Sequence, residues 1–287
     1  MKRKSRLSRL ETLLEARQGA VLPLPPRLAR LYGRMRMPPR SRPHVFSNFV
    51  TSLDGVVSLA EKGHASGADI SGFNAEDRMV MGLLRALADA VVVGSGTLGA
   101  DRRHVWTAEE ICPELAGEYR ALRRALGKTT PPLNVVVSGK AALDLSLPIF
   151  SSGKTPTMIV TTFSGIKRLR NAPPTVAIAA LRSRSGGRSP AIAASAIVNA
   201  VRKVHAANWI LVEGGPRLLG DFYAEGMLNE QFLTLAPQIA GREAGDRRMS
   251  LVMGKAFAPR HPLWGRLTDM RRGDSHLFMR YAFAPSK

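Results

Sequence analysis

A glycine pair between an apolar run and a proline is the first candidate site in this chain. Residues 209–217 read Trp-Ile-Leu-Val-Glu-Gly-Gly-Pro-Arg, which predicts a strand, a tight turn and a helix that begins at the proline. Gly214 and Gly215 allow backbone N–H groups to approach a ligand closely, and a helix N-terminus suits a phosphate. Glu213 is the acid nearest to such a ligand. An ordinary strand-to-helix turn is the alternative interpretation.

A second glycine turn, residues 94–99, reads Gly-Ser-Gly-Thr-Leu-Gly and follows an apolar strand. The three glycines match the dinucleotide fingerprint, but the charged segment 100–104 stands where that fold requires an apolar helix. We therefore reject the Rossmann topology. We keep a phosphate-loop interpretation, in which the backbone N–H groups of Gly94 and Gly96 and the hydroxyl of Thr97 contact the ligand.

A third turn, Ser52-Leu-Asp54-Gly55, follows a strand predicted over residues 44–51. Asp54 is a second acid that could contact a ligand or handle a proton. An aspartate before a glycine also commonly caps its own turn. Both roles stay open for Asp54.

The elements that position these turns alternate between strands and helices. Helices are predicted after Asn74 and over residues 109–126, 191–205 and 217–225, and a terminal hairpin over 263–270 and 275–283. This order predicts an α/β fold with a mostly parallel central sheet, helices on both faces and a C-terminal antiparallel hairpin.

Residues 1–43 differ from the rest of the chain in charge. They hold 12 Lys or Arg against 2 Asp or Glu, which is half of the net charge of +20. Leucines at 7, 10, 13 and 14 share one helical face and predict a short helix over 5–18, and the prolines at 38, 39 and 43 indicate a linker. We therefore expect a basic N-terminal extension over 1–43 and a folded domain over 44–287.

Composition limits the classes of function. An apolar content of 45% indicates a globular protein, and apolar runs are too short to span a bilayer. The single cysteine, Cys112, excludes internal disulfides and multi-cysteine zinc sites, and the six histidines show no metal spacing. The basic extension could contact nucleic acid, but 6% aromatic content and the lack of a binding motif favour a solvated segment. No signal peptide is evident, so we expect a cytoplasmic protein without a metal.

Three motifs in one order carry a family resemblance: residues 48–55, residues 84–101, which begin Leu-Arg-Ala and end in Asp101, and residues 212–216. Over about residues 31–284 the chain resembles the riboflavin-biosynthesis reductases, the RibD C-terminal domain family, whose fold is similar to dihydrofolate reductase. The resemblance implies a homodimeric, NADPH-dependent reductase domain over 44–287. Its reaction would convert the ribosyl group of a ribosylaminopyrimidinone 5′-phosphate to ribityl.

The resemblance also implies roles for individual residues. It implies cofactor contacts at Thr97, Asp101 and the pyrophosphate turn of Gly214, Gly215, Pro216, Arg217 and Leu218. It implies substrate contacts at Asn48, Ser52, Ser66, Arg85 and Glu213. Glu213 and Asp54 are the candidates for proton handling, and neither is assigned as a general acid.

The chain departs from the family pattern at two places. Asp69-Ile70-Ser71 stands where Trp-Ile-Thr is common. After Asp101 the chain continues with two arginines and a histidine where Asp-Pro and a phosphate-clamping arginine are usual. Arg102 and Arg103 are the candidates to replace that clamp, since a guanidinium offers the same fork of donors.

These departures leave two other functions open. A related NADPH reductase could act on another pterin or pyrimidine, such as dihydrofolate. A basic protein associated with nucleic acid could also use a degenerate reductase scaffold, although the retained cofactor motifs argue against it.

Overall fold

Fourteen strands are present in the computed structural model, which describes residues 7–40, 43–184 and 191–283. In chain order they are β1 (Glu11–Glu15), β2 (Ala20–Val21), β3 (Arg36–Met37), β4 (His44–Thr51), β5 (Val56–Ser58), β6 (Ala90–Gly94), β7 (Leu133–Val137), β8 (Thr157–Thr162), β9 (Val176–Leu181), β10 (Trp209–Gly214), β11 (Glu230–Leu235), β12 (Met249–Ser250), β13 (Arg266–Gly273) and β14 (His276–Ala282). Ten of them form one sheet in the order β1-β13-β14-β11-β4-β10-β6-β7-β8-β9.

The strand directions confirm the predicted sheet. The strands from β11 through β4, β10, β6, β7 and β8 to β9 pair in parallel. The pairs of β11 with β14, β14 with β13 and β13 with β1 are antiparallel. The central strands β6 and β7 are rich in valine and buried on both sides, as central strands of α/β sheets are.

Nine α-helices accompany the sheet within the described residues. They are α1 (Pro26–Tyr32), α2 (Gly67–Ser71), α3 (Ala75–Leu87), α4 (Ser95–Ala100), α5 (Ala108–Ile111), α6 (Ala116–Ala125), α7 (Pro148–Ser151), α8 (Ala194–Val204) and α9 (Pro216–Ala224). No helix among these residues is long and apolar enough to cross a bilayer.

Two apolar clusters lie on opposite faces of the sheet, because neighbouring strand residues point in opposite directions. Val91 and Leu211 pack with residues of α3, α5 and α6, whereas Val92 and Ile210 pack with α8 and α9. The expectation of helices on both faces is confirmed.

The single helix predicted over residues 109–126 is wrong. The chain forms α5, then a 3₁₀ turn over Pro113–Leu115, then α6. Pro113 lacks an N–H, and its ring forces Cys112 out of the helical region, to φ −139° and ψ 76°.

The N-terminal helix predicted over residues 5–18 is also wrong. Residues Glu11–Glu15 instead form β1, which pairs with the outer edge of β13. A lone amphipathic helix of this length is marginal, whereas the free edge of β13 offers a row of backbone hydrogen bonds. Periodicity alone could not reveal that edge.

The linker prolines predicted that the folded part begins near His44, but the structure shows that it begins earlier. Leu10, Leu28, Met35 and Met37 belong to the main apolar core and are at most 2% exposed. The described residues before His44 are therefore built into the domain.

Two buried arginines of the terminal hairpin fix this N-terminal segment. Arg271 donates to the carbonyls of Tyr32 and Arg34 at 2.7 and 2.8 Å, and Arg280 donates to the carbonyl of Arg36 at 2.7 Å. Five arginines of the segment itself form ion pairs inside the domain: Arg17, Arg27, Arg34, Arg36 and Arg40. Much of the positive charge of the N-terminal segment is thus paired with acidic side chains of the same chain. The basic Gly/Ser-rich loop expected over 182–190 lies largely outside the described residues.

Candidate active site

The two glycine turns meet at the carboxyl ends of neighbouring parallel strands. Gly214 of β10 pairs with Val93 of β6, so Gly94 lies beside it. A methyl group on Gly94 would lie 3.4 Å from the nitrogen of Gly215, and one on Gly214 would lie 3.1 Å from the Thr97 hydroxyl. Gly214 also has a φ of +126°, which side chains rarely allow. The close approach therefore requires glycine.

The turn after β10 delivers the N-terminus of α9. Pro216 occupies the first turn, and the N–H of Leu219 makes an early helical bond to the carbonyl of Gly215 at 3.0 Å. Within the described residues, the N–H groups of Arg217 and Leu218 have no acceptor, as is normal in a first turn. Free N–H groups at the positive end of a helix are suited to a phosphate or pyrophosphate.

Glu213, directly before this turn, is held by Arg85 from α3. The Arg85 Nε lies 3.1 and 3.0 Å from the two carboxylate oxygens, and Nη2 lies 2.7 Å from Oε2. The two side chains are 3% and 5% exposed. The pair is an almost buried, forked ion pair that fixes the carboxylate at the carboxyl end of β10.

The remaining donors of Arg85 are also used. Its Nη1 lies 2.6 Å from Nε2 of His104 and 3.2 Å from the carbonyl of Thr107. Burial, followed by the charge of Arg85, lowers the pKa of His104 to about 3. The imidazole is therefore neutral and accepts the hydrogen bond. Arg85 was expected to contact substrate, but its guanidinium is engaged with protein groups.

Asp101 stands next to this group at the end of α4. Its Oδ2 lies 3.8 Å from Nδ1 of His104, and half of its side chain is exposed. Desolvation raises the pKa of Asp101, and the charges of Arg85 and Arg103 oppose that rise. Thr97, inside α4, and Asp101, at its C-cap, are four residues apart and so share one helical face. The Thr97 hydroxyl lies beside the turn of Gly214 and Gly215, where a cofactor contact was expected.

Asp54 accepts hydrogen bonds rather than approaching Glu213. It receives the Ser52 hydroxyl at 2.6 Å and the N–H groups of Ala240 and Gly241 at 3.1 and 2.9 Å. These donors, led by Ser52, lower the pKa of Asp54 to about 2. Asp54 therefore caps its turn and anchors the loop after β11, which is the alternative that the sequence left open. Ser52 is fully buried and also accepts from the N–H of Val56.

Ser66 and Asp69 form a capping box at the start of α2. The Ser66 N–H and hydroxyl both contact the Asp69 carboxylate, at 3.2 and 2.8 Å, and His64 adds a contact at 3.1 Å. The departure at Asp69 thus gives the loop an internal brace. This arrangement engages the Ser66 hydroxyl, which was expected to contact substrate.

Asn48 is placed opposite Glu213. Its strand β4 pairs with β10 up to Val212 beside Ser47, so the next residues in each strand are Glu213 and Asn48. The amide of Asn48 is 6% exposed. It makes no hydrogen bond within the part of the chain that the structure describes, which leaves its donors and acceptor for a ligand.

The two arginines expected near a substrate phosphate differ. Arg102 pairs with Asp144 at 2.6 Å, away from Glu213. Arg103 is exposed beside Asp101. Of these two, Arg103 is the one whose guanidinium has no ion-pair partner among the described residues.

Asp77, on the first turn of α3, is an acid that sequence reasoning missed. It is 4% exposed, and burial raises its pKa, with a further rise from the charge of Glu213. The hydroxyls of Thr234 and Ser71 oppose the rise. Such a carboxyl can hold a proton closer to neutral pH than a solvated aspartate. An acid in a first helical turn is so common that no sequence signal separated it.

No cluster of metal-ligating side chains is present among residues 7–40, 43–184 and 191–283. The site consists of glycine turns, a helix N-terminus and a fixed carboxylate. That combination can bind a phosphorylated cofactor and present a polar partner to a second molecule in the same crevice.

Comparisons with known proteins show what the chain is similar to. A reductase from Archaeoglobus fulgidus, 2,5-diamino-6-ribosylamino-4(3H)-pyrimidinone 5′-phosphate reductase, is 25% identical over 204 residues, which cover 71% of this chain and 84% of that protein.

Two solved structures share the fold. A pyrimidine reductase-like protein from Corynebacterium diphtheriae has a TM-score of 0.66 at 20% identity, over 90% of this chain and 99% of that one. A deaminase/5-amino-6-(5-phosphoribosylamino)uracil reductase from Thermotoga maritima has a TM-score of 0.60 at 18% identity, over 85% of this chain and 58% of that one. The family model described as RibD C-terminal domain matches residues 43–259, and the chain therefore belongs to the RibD C-terminal domain family.

Proposed function

We propose that this protein is an NADPH-dependent reductase of riboflavin biosynthesis, which reduces the ribosyl group of a ribosylaminopyrimidinone 5′-phosphate to ribityl. The observation that carries the proposal is the position of Glu213, a fixed carboxylate directly before one of two facing glycine turns. Family membership and the named activity of the Archaeoglobus fulgidus relative support the same substrate class.

The proposal of a cofactor site rests on the space between the turns at Gly94 and Gly214. Side chains at these two positions would occupy that space. The free N–H groups of Arg217 and Leu218 would hold the pyrophosphate, and Pro216 starts the helix without needing an acceptor. Thr97 and Asp101 would contact the ribose or amide groups of the cofactor. NADPH bound in this crevice supplies a hydride.

The substrate half rests on Asn48 in β4, Glu213 near the carboxyl end of β10 and Asp77 in the first turn of α3. Glu213 would accept N–H groups of the pyrimidinone, and the amide of Asn48 would pair with its carbonyl edge. Asp77 would hold a proton at the buried side of the crevice. Arg103 would provide the donor for the 5′-phosphate.

The work of the chain is therefore chiefly orientation. Arg85 holds Glu213 so that a hydrogen-bonded pyrimidinone cannot rotate, and the walls of β4 and β10 exclude water from the reacting carbon. Asp54 and Ser52 act indirectly, because they fix the turn and the loop after β11. We also propose that the protein acts in the cytoplasm as a homodimer on this small molecule, without nucleic acid.

The test is a spectrophotometric assay of NADPH consumption with the ribosylaminopyrimidinone phosphate. Dihydrofolate is the substrate in a parallel cuvette, and NADH replaces NADPH in a third. We expect turnover of the pyrimidine with NADPH. Arg272→Ala, in an exposed ion pair far from Glu213, serves as the matched control variant and keeps wild-type turnover.

Two results would contradict the proposal. Turnover of dihydrofolate alone would assign the site to a pterin substrate. Salt-sensitive binding of nucleic acid by a protein that fails to bind NADPH would replace the enzyme by a binding protein.

A further inference from the structure

His104 is the residue by which this chain departs from its family and which nevertheless lies at the centre of the site. It follows the two arginines after Asp101. The imidazole packs edge-on against Trp106, with ring centroids 5.0 Å apart and planes at 90°. It contacts Arg85 on its other side. Its side chain is only 12% exposed.

The direction of the hydrogen bond is fixed by the chemistry of the two groups. A guanidinium has donors and no acceptor, so Nε2 of His104 accepts from Nη1 of Arg85 and the ring proton resides on Nδ1. The charged groups that face the ring are Arg85 and Asp101. A charged imidazole could not accept this bond and would repel the guanidinium.

The acceptor matters because of how Arg85 is held. Its Nε and Nη2 contact Glu213, and its Nη1 contacts only His104 and the carbonyl of Thr107, at 3.2 Å. The short contact to His104 therefore sets the rotation of the guanidinium plane. That plane in turn fixes both carboxylate oxygens of Glu213.

We propose that His104 is a positioning residue of the active site, which acts through Arg85 to orient the Glu213 carboxylate toward the substrate. This inference rests on the proposed function. Removal of the acceptor lets the fork of Arg85 rotate, and the carboxylate loses its alignment with the pyrimidinone. The Nδ1 atom lies 3.8 Å from Asp101, beyond hydrogen-bond distance, so cofactor binding does not depend on the ring.

The test compares two substitutions. His104→Phe keeps an aromatic ring against Trp106 but removes the acceptor, and His104→Gln keeps an acceptor oxygen. We expect His104→Phe to lower kcat/KM for the pyrimidine phosphate by roughly 10- to 100-fold, the range of a hydrogen bond to a charged group. The Kd for NADPH, measured by its fluorescence, stays within about twofold. His104→Gln restores most of the activity, and His261→Phe, at an exposed histidine, is the matched control.

A double variant tests whether the effect passes through Glu213. If it does, His104→Phe combined with Glu213→Gln is no slower than Glu213→Gln alone, because the two changes remove one shared interaction. Independent, multiplying losses would overturn the positioning role. Equal losses in His104→Phe and His104→Gln would overturn it as well.

A spectroscopic measurement checks the hydrogen bond without turnover. In ¹⁵N-histidine-labelled protein, the resonance that disappears in His104→Phe should show a neutral ring protonated on Nδ1 at pH 5. A charged ring at that pH would contradict the inference. Absence of wild-type turnover overturns the proposed function, whereas normal wild-type turnover with an unaffected His104→Phe overturns the role of His104.

Discussion

Two clusters in this molecule use the same residue types at opposite ends of the sheet. At the amino end of β11, Glu230 contacts three partners: His44 at 2.8 Å, Arg17 at 2.6 Å and Arg280. At the carboxyl end of β10, Glu213 contacts one partner, Arg85, and His104 contacts the arginine instead of the acid.

The two acids differ in the number of side chains that contact their carboxylates. Glu230 is 1% exposed, and its surroundings lower its pKa to about 2; burial opposes this shift, and the hydrogen bond from His44 and the charge of Arg280 outweigh burial. Its Oε2 accepts from His44 and Arg280, its Oε1 contacts Arg17, and the buried carboxylate is closed to another molecule. Glu213 accepts hydrogen bonds from Arg85 alone among the side chains of the described residues. A buried acid can thus hold a fold together when it is fully paired, and it can serve a ligand when it is half paired.

The largest expected effect is a loss of stability when Glu230 is changed. Glu230→Gln leaves Arg280 and Arg17 without their carboxylate in a buried site, so the free energy of unfolding should fall by about 3–5 kcal/mol. Urea denaturation followed by circular dichroism measures the loss. An unchanged unfolding midpoint would show that the cluster at β11 contributes nothing to the fold.

The matched change in the site should affect activity, in addition to the loss of stability from an unpaired Arg85. Glu213→Gln keeps the shape of the side chain but weakens the bonds from Arg85 and to the substrate. We expect kcat/KM to fall by roughly 10- to 100-fold, from the 1.5–3 kcal/mol of a hydrogen bond to a charged group. Steady-state kinetics with NADPH measures it. Full activity in Glu213→Gln would remove Glu213 from the substrate site.

Acid should destabilise the two clusters in different pH windows. The pKa of His104 is about 3 in the folded protein and near 6.5 when unfolded, so only the unfolded chain takes up this proton as the pH falls below 6.5. Stability therefore declines from pH 6.5 to 3, by at most about 1.4 kcal/mol per pH unit. Glu230, with its pKa lowered from 4.5 to about 2, adds a decline only below pH 4.5.

Urea midpoints measured from pH 7 to 4.5 in wild type and His104→Gln isolate the first window. The variant should lose part of the pH slope, and Glu230→Gln should not. Identical slopes in wild type and His104→Gln would mean that the imidazole is charged in the folded protein, contrary to its contact with Arg85.

The smallest effect is expected at an exposed pair. Arg272 contacts Glu11 of β1 at 2.6 Å, and both side chains are 55% exposed. Arg272→Ala should change the free energy of unfolding by less than about 1 kcal/mol, because water and salt screen such pairs. Urea denaturation at two salt concentrations measures it. A loss comparable to that of Glu230→Gln would erase the distinction between saturated buried pairs and surface pairs.

Sequence reasoning was accurate where the signal is local. The strand, glycines and proline of residues 209–217, and the alternation of helices and strands, predicted the turn, the parallel sheet and the terminal hairpin. It failed where contacts join distant residues. The partner of β1 is more than 250 residues away along the chain, and no periodicity in residues 5–18 contains it.

The same limit applied to the site. The sequence pointed to Glu213 and Gly214 because the turn has a recognisable pattern, whereas the partner of Arg85 could not be read from its helix. His104 and Arg85 are 19 residues apart in the sequence, and their contact depends on the path of the chain between them. The capping role of Asp54 could be recognised only from its contacts with the N–H groups of Ala240 and Gly241. These residues are 186 and 187 positions away in the sequence.

The pairing of β1 with β13 also sets an order of events during synthesis. Glu11 cannot pair with Arg272 until Arg272 has been synthesised, 261 residues later in the chain. At about 5–20 residues per second, the ribosome needs roughly 10 to 50 seconds to reach it. Throughout that interval the apolar side chains of Leu10, Leu28 and Met35 lack the terminal hairpin, which is part of the core they pack into.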